Sequence, residues 1–127
     1  MDRQVITSPR VTPMRSGVSH AVKAGGLVYV TSATPFFDDR QIAKGDFAAQ
    51  LHQVMRNIIA ILEEAGTSLE RAVKMNIAMT DMARYAEFDA IFKTYFTPGN
   101  YPARQTTESL RLAHPDFLIS IDCIAVI

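Results

Sequence analysis

The sequence is short of cysteine, has no tryptophan and carries no excess of either charge. Its single cysteine excludes an intramolecular disulfide framework. The 13 basic and 13 acidic side chains cancel, so the basic footprint typical of nucleic-acid binding is missing. No apolar run reaches the length of a membrane span, and the first residues do not resemble a signal peptide. We expect a soluble cytoplasmic protein that binds neither nucleic acid nor membrane.

The size and composition favour one globular domain over residues 1–127. Apolar residues make up 48% of the chain and charged residues 20%, which is typical of a folded domain. A chain of 127 residues is long enough for one core and too short for two ordinary domains. A net charge of zero also gives copies little electrostatic repulsion, which permits an oligomer.

The first half of the chain predicts two or three strands and a helix. RQVIT is a possible short strand, and 20–24 and 27–32 form a predicted hairpin around Gly25-Gly26. Another short strand pair is possible near Gln41. Apolar residues then recur at helical spacing over 47–65. Asp46 is placed to cap this helix and Gly66 to end it.

The second half predicts a strand, a helix and two further strands. VKMNIAMT alternates strictly between apolar and other residues. A helix follows from about Asp81 or Arg84 to the TPGN segment, and the strands ARQTTESLRL and FLISIDCIAVI close the chain. The order β-β-(β)-α-β-α-β-β predicts a two-layer α+β domain with a mixed sheet and both helices on one face. The other sheet face is then a candidate subunit interface.

Arg104 is the strongest candidate for binding chemistry. Its planar guanidinium matches a carboxylate, and alternation places Thr106 and Glu108 on the same face as Arg104. Ser120 and Asp122 form a second polar pair, which approaches Arg104 and Thr106 if the last two strands are antiparallel neighbours. The alternatives are an ion pair of Arg104 with Glu108 or with a neighbouring strand on a solvated face, and solvent exposure of Ser120 and Asp122 on an edge strand.

The remaining reactive side chains give weaker signals. His20, His52 and His114 are not spaced as zinc ligands, so no metal site is predicted. His20 lies in the predicted hairpin, where it lines a pocket or is structural. Cys123 shares a strand face with apolar residues and is expected in the core.

Several segments, in this order, resemble the Rid family, the YjgF-like proteins also known as L-PSP endoribonucleases. They are AVKAGGLVYVTSATP, the helix start GDFAAQLHQVMRNI, the turn EEAGTSLERAVKMNIAMTDM, FKTYF, the Pro102-Ala103-Arg104 motif and the closing ISIDCIAV. The resemblance covers nearly the whole chain. It implies a chorismate-mutase-like α+β fold and a homotrimer with pockets at the subunit interfaces.

The resemblance also implies an activity, the hydrolysis of small imines or enamines such as 2-iminobutanoate and 2-iminopropanoate to 2-oxo acids and ammonia, without a cofactor. The arginine of the motif, Arg104, is expected to bind the substrate carboxylate. Thr106 is expected to offer backbone groups to the substrate or the attacking water.

The pocket departs from the family pattern at several positions. Ser120 stands where the main deaminases have a glutamate that holds the attacking water. Val18 replaces a tyrosine, His20 a glutamine, and Ser32 a glycine in the segment that continues to Ala33. Two hypotheses remain: a deaminase in which Ser120 holds the water, or a non-catalytic trimer that binds small carboxylates. Nuclease activity is the least attractive of the family's activities, because no basic surface bias is present.

Overall fold

Six β-strands and two α-helices form the fold in the computed structural model, which describes residues 2–127. In chain order they are β1 (Arg3–Ile6), β2 (Ala21–Ala24), β3 (Leu27–Ala33), α1 (Phe47–Glu64), β4 (Ala72–Met79), α2 (Tyr85–Phe92), β5 (Ala103–Glu108) and β6 (Ile119–Val126). The predicted order of elements is therefore confirmed, and the possible pair near Gln41 is a single bridge to Phe37.

The strands form one mixed sheet in the order β1-β2-β3-β6-β4-β5. Every neighbouring pair is antiparallel except β4 and β5, which are parallel. The supposition that the last two strands are antiparallel neighbours is wrong, because β4 lies between them. Helix α2 carries the chain from the end of β4 back to the start of β5, and a crossover of this kind produces parallel pairing.

Helix α1 owes its ends to its capping residues. The Asp46 carboxylate accepts a hydrogen bond of 3.0 Å from the Ala49 N–H, and Gly66 adopts a φ of 86° just beyond the last turn. Between these ends one stripe of the helix is buried against the sheet, with Leu51, Val54 and Ile58 fully covered. Burial of each such side chain contributes about 1.5–3 kcal/mol.

The core lies between the helices and one face of the sheet. Met75, Ile77 and Met79 of β4 and Ile119 and Ile121 of β6 are buried on this helix side. Val5, Val22, Tyr29 and Ile124 lie in register across β1, β2, β3 and β6 on the opposite, open face. There Tyr29 is 45% exposed and Val5 51% exposed, so no element of the described chain covers this apolar row. Over residues 2–127, no helix is long and apolar enough to cross a membrane.

Candidate functional site

A cavity of about 640 Å³ opens at the end of the sheet where β3 leaves β6. Four of the predicted site residues line it: Val18, Ser32, Ala33 and Ser120. They come from three separate parts of the chain. The fold therefore brings together one part of the predicted pocket.

A bulge in β3 places Ser32 at the cavity. Val30 pairs with Cys123 and Ala33 pairs with Ile121, so two residues of β3 stand opposite the single residue Asp122. An extra residue of this kind breaks the alternation of a strand and bends it locally. Ser32 is consequently exposed at the cavity while Ala33 is buried.

Ser120 lies on the open face of the sheet. It pairs with Ala78, whose strand neighbours Ile77 and Met79 point into the core, and Ala78 also lines the cavity. Asp122, two residues further on, accepts a hydrogen bond of 3.0 Å from the side-chain amide of Asn76 and does not line the cavity. Of the predicted polar pair, Ser120 therefore presents its side chain to a ligand in the cavity and Asp122 does not.

Arg104 lies on the other side of the sheet. Its partner in β4 is Met75, which is fully buried under the helices, and Thr106 likewise pairs with Ile77. The Arg104 guanidinium donates to the Asp89 carboxylate at 2.9 Å and to the Tyr85 hydroxyl at 2.5 Å, both on α2. Its side chain remains 21% exposed. Arg104 therefore forms an ion pair within the chain, but with Asp89 of α2 and not with Glu108 or a neighbouring strand as the alternative supposed.

The aromatic face of α2 supports this arginine. The guanidinium carbon lies 5.2 Å from the ring centre of Phe88 and 5.2 Å from that of Phe92. Aromatic rings attract a cation through their negative faces. The two hydrogen bonds to α2 use two of the five N–H donors of a guanidinium. Arg104 is thus oriented by α2 and keeps donors for another acceptor.

The predicted site residues other than His20 therefore divide between two separate places in the chain. Val18, Ser32, Ala33 and Ser120 line the cavity, whereas Arg104 and Thr106 lie on the helix side of the edge strand β5. Strand β4 separates β5 from β6, which carries Ser120. One chain does not bring the arginine to the cavity.

His20 does not line the cavity and is 2% exposed. Its Nδ1 accepts a hydrogen bond of 3.0 Å from the buried Ser8 N–H. A backbone N–H only donates, so the ring proton is on Nε2, which donates to the Thr12 carbonyl at 3.0 Å. His20 therefore fastens the N-terminal segment to β2, and Val11 and Thr12 of that segment line the cavity.

Two polar residues of α1 organise the cavity wall and were not among the predicted site residues. Asn57 donates to the carbonyls of Thr34 and Phe36 at 2.9 and 3.0 Å. Gln50 donates to the carbonyls of Ala43 and Asp116 and accepts from the backbone N–H one residue before β6. Both are buried on the apolar stripe of the helix. The sequence signal that could have identified both residues is a polar side chain at a core position of an amphipathic helix.

Cys123 is a core residue in the structure. Burial, together with a smaller effect of the nearby Asp122 charge, raises the pKa of its thiol to about 12. A thiol with such a pKa is not a nucleophile at neutral pH. Over residues 2–127, no group of three His, Cys, Asp or Glu side chains is placed to hold a metal ion.

The fold and the cavity define a class of protein, an α+β domain with two helices on one face of a six-stranded sheet, an uncovered opposite face and a cavity at one end of the sheet. Residues 11–127 match the family model described as Endoribonuclease L-PSP. A RutC family protein of Pyrococcus abyssi (strain GE5 / Orsay) is 34% identical over 126 residues, or 98% of each chain. The chain belongs to this family, the Rid/YjgF family.

Solved structures agree with this assignment. The Rid-family protein YyfA from Yersinia pestis has a TM-score of 0.94 and 28% identity, over 99% of this chain and 100% of that one. Escherichia coli TdcF, solved with bound serine, has a TM-score of 0.89 and 25% identity, over 98% of each chain. The predicted family and fold are therefore confirmed.

Proposed function

We propose that this protein hydrolyses small imino acids or their enamine tautomers to 2-oxo acids and ammonia, in sites shared between copies of the chain in a homotrimer. One copy supplies the cavity with Ser120, and the next supplies Arg104. The observation that carries the proposal is the position of Arg104: its guanidinium is oriented by α2, keeps unused donors and lies away from the chain's own cavity. The uncovered open face gives a second copy an apolar surface to pack on.

The two half-sites are chemically complementary for a small amino-acid-like molecule. A guanidinium binds a carboxylate through paired charged hydrogen bonds, each worth about 1.5–3 kcal/mol. TdcF, a relative, was solved with bound serine, which carries a carboxylate and an adjacent amino group. The substrate carboxylate on Arg104 places the neighbouring C=N group toward the cavity that Ser120 lines.

The reaction needs little from the protein beyond position. Water attacks the imine carbon, its proton passes to nitrogen, and the resulting carbinolamine loses ammonia as the C=O bond forms. An enamine first takes a proton on its β-carbon. Ser120 holds the water through its hydroxyl, but it does not remove the water's proton at neutral pH because it has no accessible basic form. The rate enhancement comes from holding the imine and the water together in a reactive arrangement.

A second candidate function is the binding of small carboxylates without turnover. Ser120 favours it, since the cavity lining contains no carboxylate to act as a base. In this case the same residues retain a ligand and release it unchanged.

The test is the disappearance of 2-iminobutanoate generated in situ, with the parent protein, Arg104→Ala and the control Arg84→Ala. Arg84 lies just before α2 and pairs with Glu87 on the surface, so its loss removes an arginine without touching the site. We expect acceleration by the parent and by Arg84→Ala and none by Arg104→Ala. If the parent does not accelerate the reaction but binds 2-oxobutanoate through Arg104, carboxylate binding replaces deamination.

Sharing of the site between chains has its own test. Arg104→Ala and Ser32→Trp, which fills the cavity, are each expected to be inactive. When the two are unfolded, mixed and refolded together, random assembly completes about a quarter of the sites, with the arginine from one variant and the cavity from the other. Activity of the mixture no greater than that of the separate variants, or a monomeric mass by light scattering, contradicts the shared site.

A further inference from the structure

Two arginines line the cavity, Arg15 and Arg40, and no carboxylate does. Neither forms an ion pair with any residue from 2 to 127. Asp38 and Asp39 are exposed around a neighbouring depression that both arginines also line, and Asp116 lies with Arg40 at another. We call Arg15 and Arg40 the basic rim. The cavity lining itself thus carries two guanidinium groups and no carboxylate, and these are separate from Arg104.

Arg40 is held in place rather than extended into solvent. Its guanidinium carbon lies 4.2 Å from the ring centre of Phe36, and one N–H donates to the Pro13 carbonyl at 3.4 Å. Phe36 is in turn fixed by edge-to-face contact with Phe117, at 4.9 Å between ring centres, and by Asn57, which binds its carbonyl. A guanidinium stacked on an aromatic ring keeps most of its donors free for an anion.

The rest of the cavity is larger and more apolar than a small imino acid requires. A volume of 640 Å³ holds on the order of twenty water molecules, at about 30 Å³ each. Much of the lining is apolar side chains: Val11, Met14, Val18, Phe36, Leu112 and Phe117. A methyl or ethyl substituent fills only a small part of this space. A longer apolar segment fills it and reaches the rim.

We propose that the preferred ligand is a dicarboxylic acid, with one carboxylate on Arg104 of a second copy, an apolar middle in the cavity and the second carboxylate on the basic rim. This inference rests on the proposed shared site and specifies its substrate class. A terminal carboxylate supplies the negative charge that the cavity lining lacks. The apolar cavity accommodates the carbon chain between the two carboxylates. His114, the third basic side chain of the lining, already accepts the Asp116 N–H and completes the aromatic wall.

The test compares two stable acids by titration calorimetry, 2-oxohexanoate and 2-oxoadipate. They share a carbon chain and differ only in a terminal methyl or carboxylate. We expect the dicarboxylate to bind at least about tenfold more tightly, because charged hydrogen bonds contribute about 1.5–3 kcal/mol. Arg40→Gln and Arg15→Gln should each reduce this preference. The control Arg56→Gln changes an exposed arginine outside the cavity and should leave it intact.

The outcomes separate this inference from the proposed function. Equal affinity for the two acids, no measurable binding of either, or an unchanged preference in both rim variants overturns the dicarboxylate assignment. If Arg15→Gln or Arg40→Gln changes the oligomeric mass, the rim serves subunit contact instead, which also overturns it. A retained dicarboxylate preference without imine hydrolysis leaves the assignment standing and rejects the deaminase.

Discussion

The Arg104 guanidinium and the Asp89 carboxylate form an ion pair of 2.9 Å that joins the edge strand β5 to helix α2. The pair holds the arginine on the helix side of the sheet and leaves it partly exposed. Asp89 therefore orients the proposed carboxylate anchor, and it also competes with the substrate for positive charge. These two effects are separable by mutation.

Asp89→Asn is expected to tighten substrate binding. Asparagine keeps an oxygen that accepts the Arg104 hydrogen bond but removes the competing negative charge. Because partly exposed ion pairs contribute about 0.2–1 kcal/mol, we expect KM for 2-iminobutanoate to fall by roughly two- to fivefold. Asp89→Ala should raise KM, since it removes the orienting contact as well. If Asp89→Asn behaves like Asp89→Ala in steady-state kinetics, charge competition is the wrong explanation.

Ser120→Glu is expected to accelerate imine hydrolysis. A carboxylate at this position of the cavity accepts a proton from the attacking water, and a positioned base typically contributes about 10²–10⁴-fold, so we expect a gain of at least about tenfold in kcat. Ser120→Ala serves as the matched control and should be slower than the parent. An active parent whose rate is unchanged by the glutamate means that the water is held elsewhere than at Ser120.

His20→Ala is expected to destabilise the protein and loosen the N-terminal wall of the cavity. The change leaves the buried Ser8 N–H without its acceptor, which costs about 1–3 kcal/mol in the free energy of unfolding. Urea denaturation measures this loss, with the exposed Arg3→Ala as control. A variant of unchanged stability that no longer binds 2-oxobutanoate makes His20 a ligand contact, contrary to the structural role.

Cys123 is expected to make stability fall at alkaline pH. Its pKa is raised by burial from 9.0 to about 12 in the folded protein. The folded state therefore keeps a proton that the unfolded state loses, and the stabilisation present below pH 9 declines as pH rises from 9 toward 12. One pH unit above the pKa of the thiol in the unfolded state, the free energy of unfolding is lower by about 1.4 kcal/mol.

The measurement compares the free energy of unfolding of the parent and Cys123→Ala at pH 8 and pH 10. Lysine and tyrosine titrations are common to both proteins, so the difference between the two pH dependences isolates the thiol. We expect a steeper decline in the parent. Parallel declines, or rapid modification of the native thiol by a disulfide reagent at pH 8, contradict a buried thiol of raised pKa.

Local patterns were sufficient for most of the fold. Helix α1 follows from its apolar spacing and from Asp46, and β4 follows from strict alternation ending at Met79. The pairing of β5 did not follow from proximity in sequence, because β5 and β6 are consecutive in the chain but not neighbours in the sheet. The better signal was the strand–helix–strand order of β4, α2 and β5, which favours parallel neighbours.

The site was predicted less completely than the fold, for a physical reason. Alternation assigns residues to the two faces of a strand but does not say which face the helices cover. Arg104 was therefore grouped with Ser120, and its pairing with Asp89 was not foreseen, since α2 and β5 meet only in the folded chain. His20 and Asn57 likewise depend on distant backbone partners that no local pattern reveals.

The separation of Arg104 from the cavity within one chain also bears on the stoichiometry of the proposed shared site. Contacts that join an arginine surface to a cavity surface run head to tail, so a linear row of copies always leaves one arginine and one cavity unused at its ends. Only a closed ring completes every site. Specific activity should then fall on dilution, in proportion to the fraction of rings that dissociate. A subunit that lacks either the arginine or the cavity should disable one site for each copy incorporated into a ring.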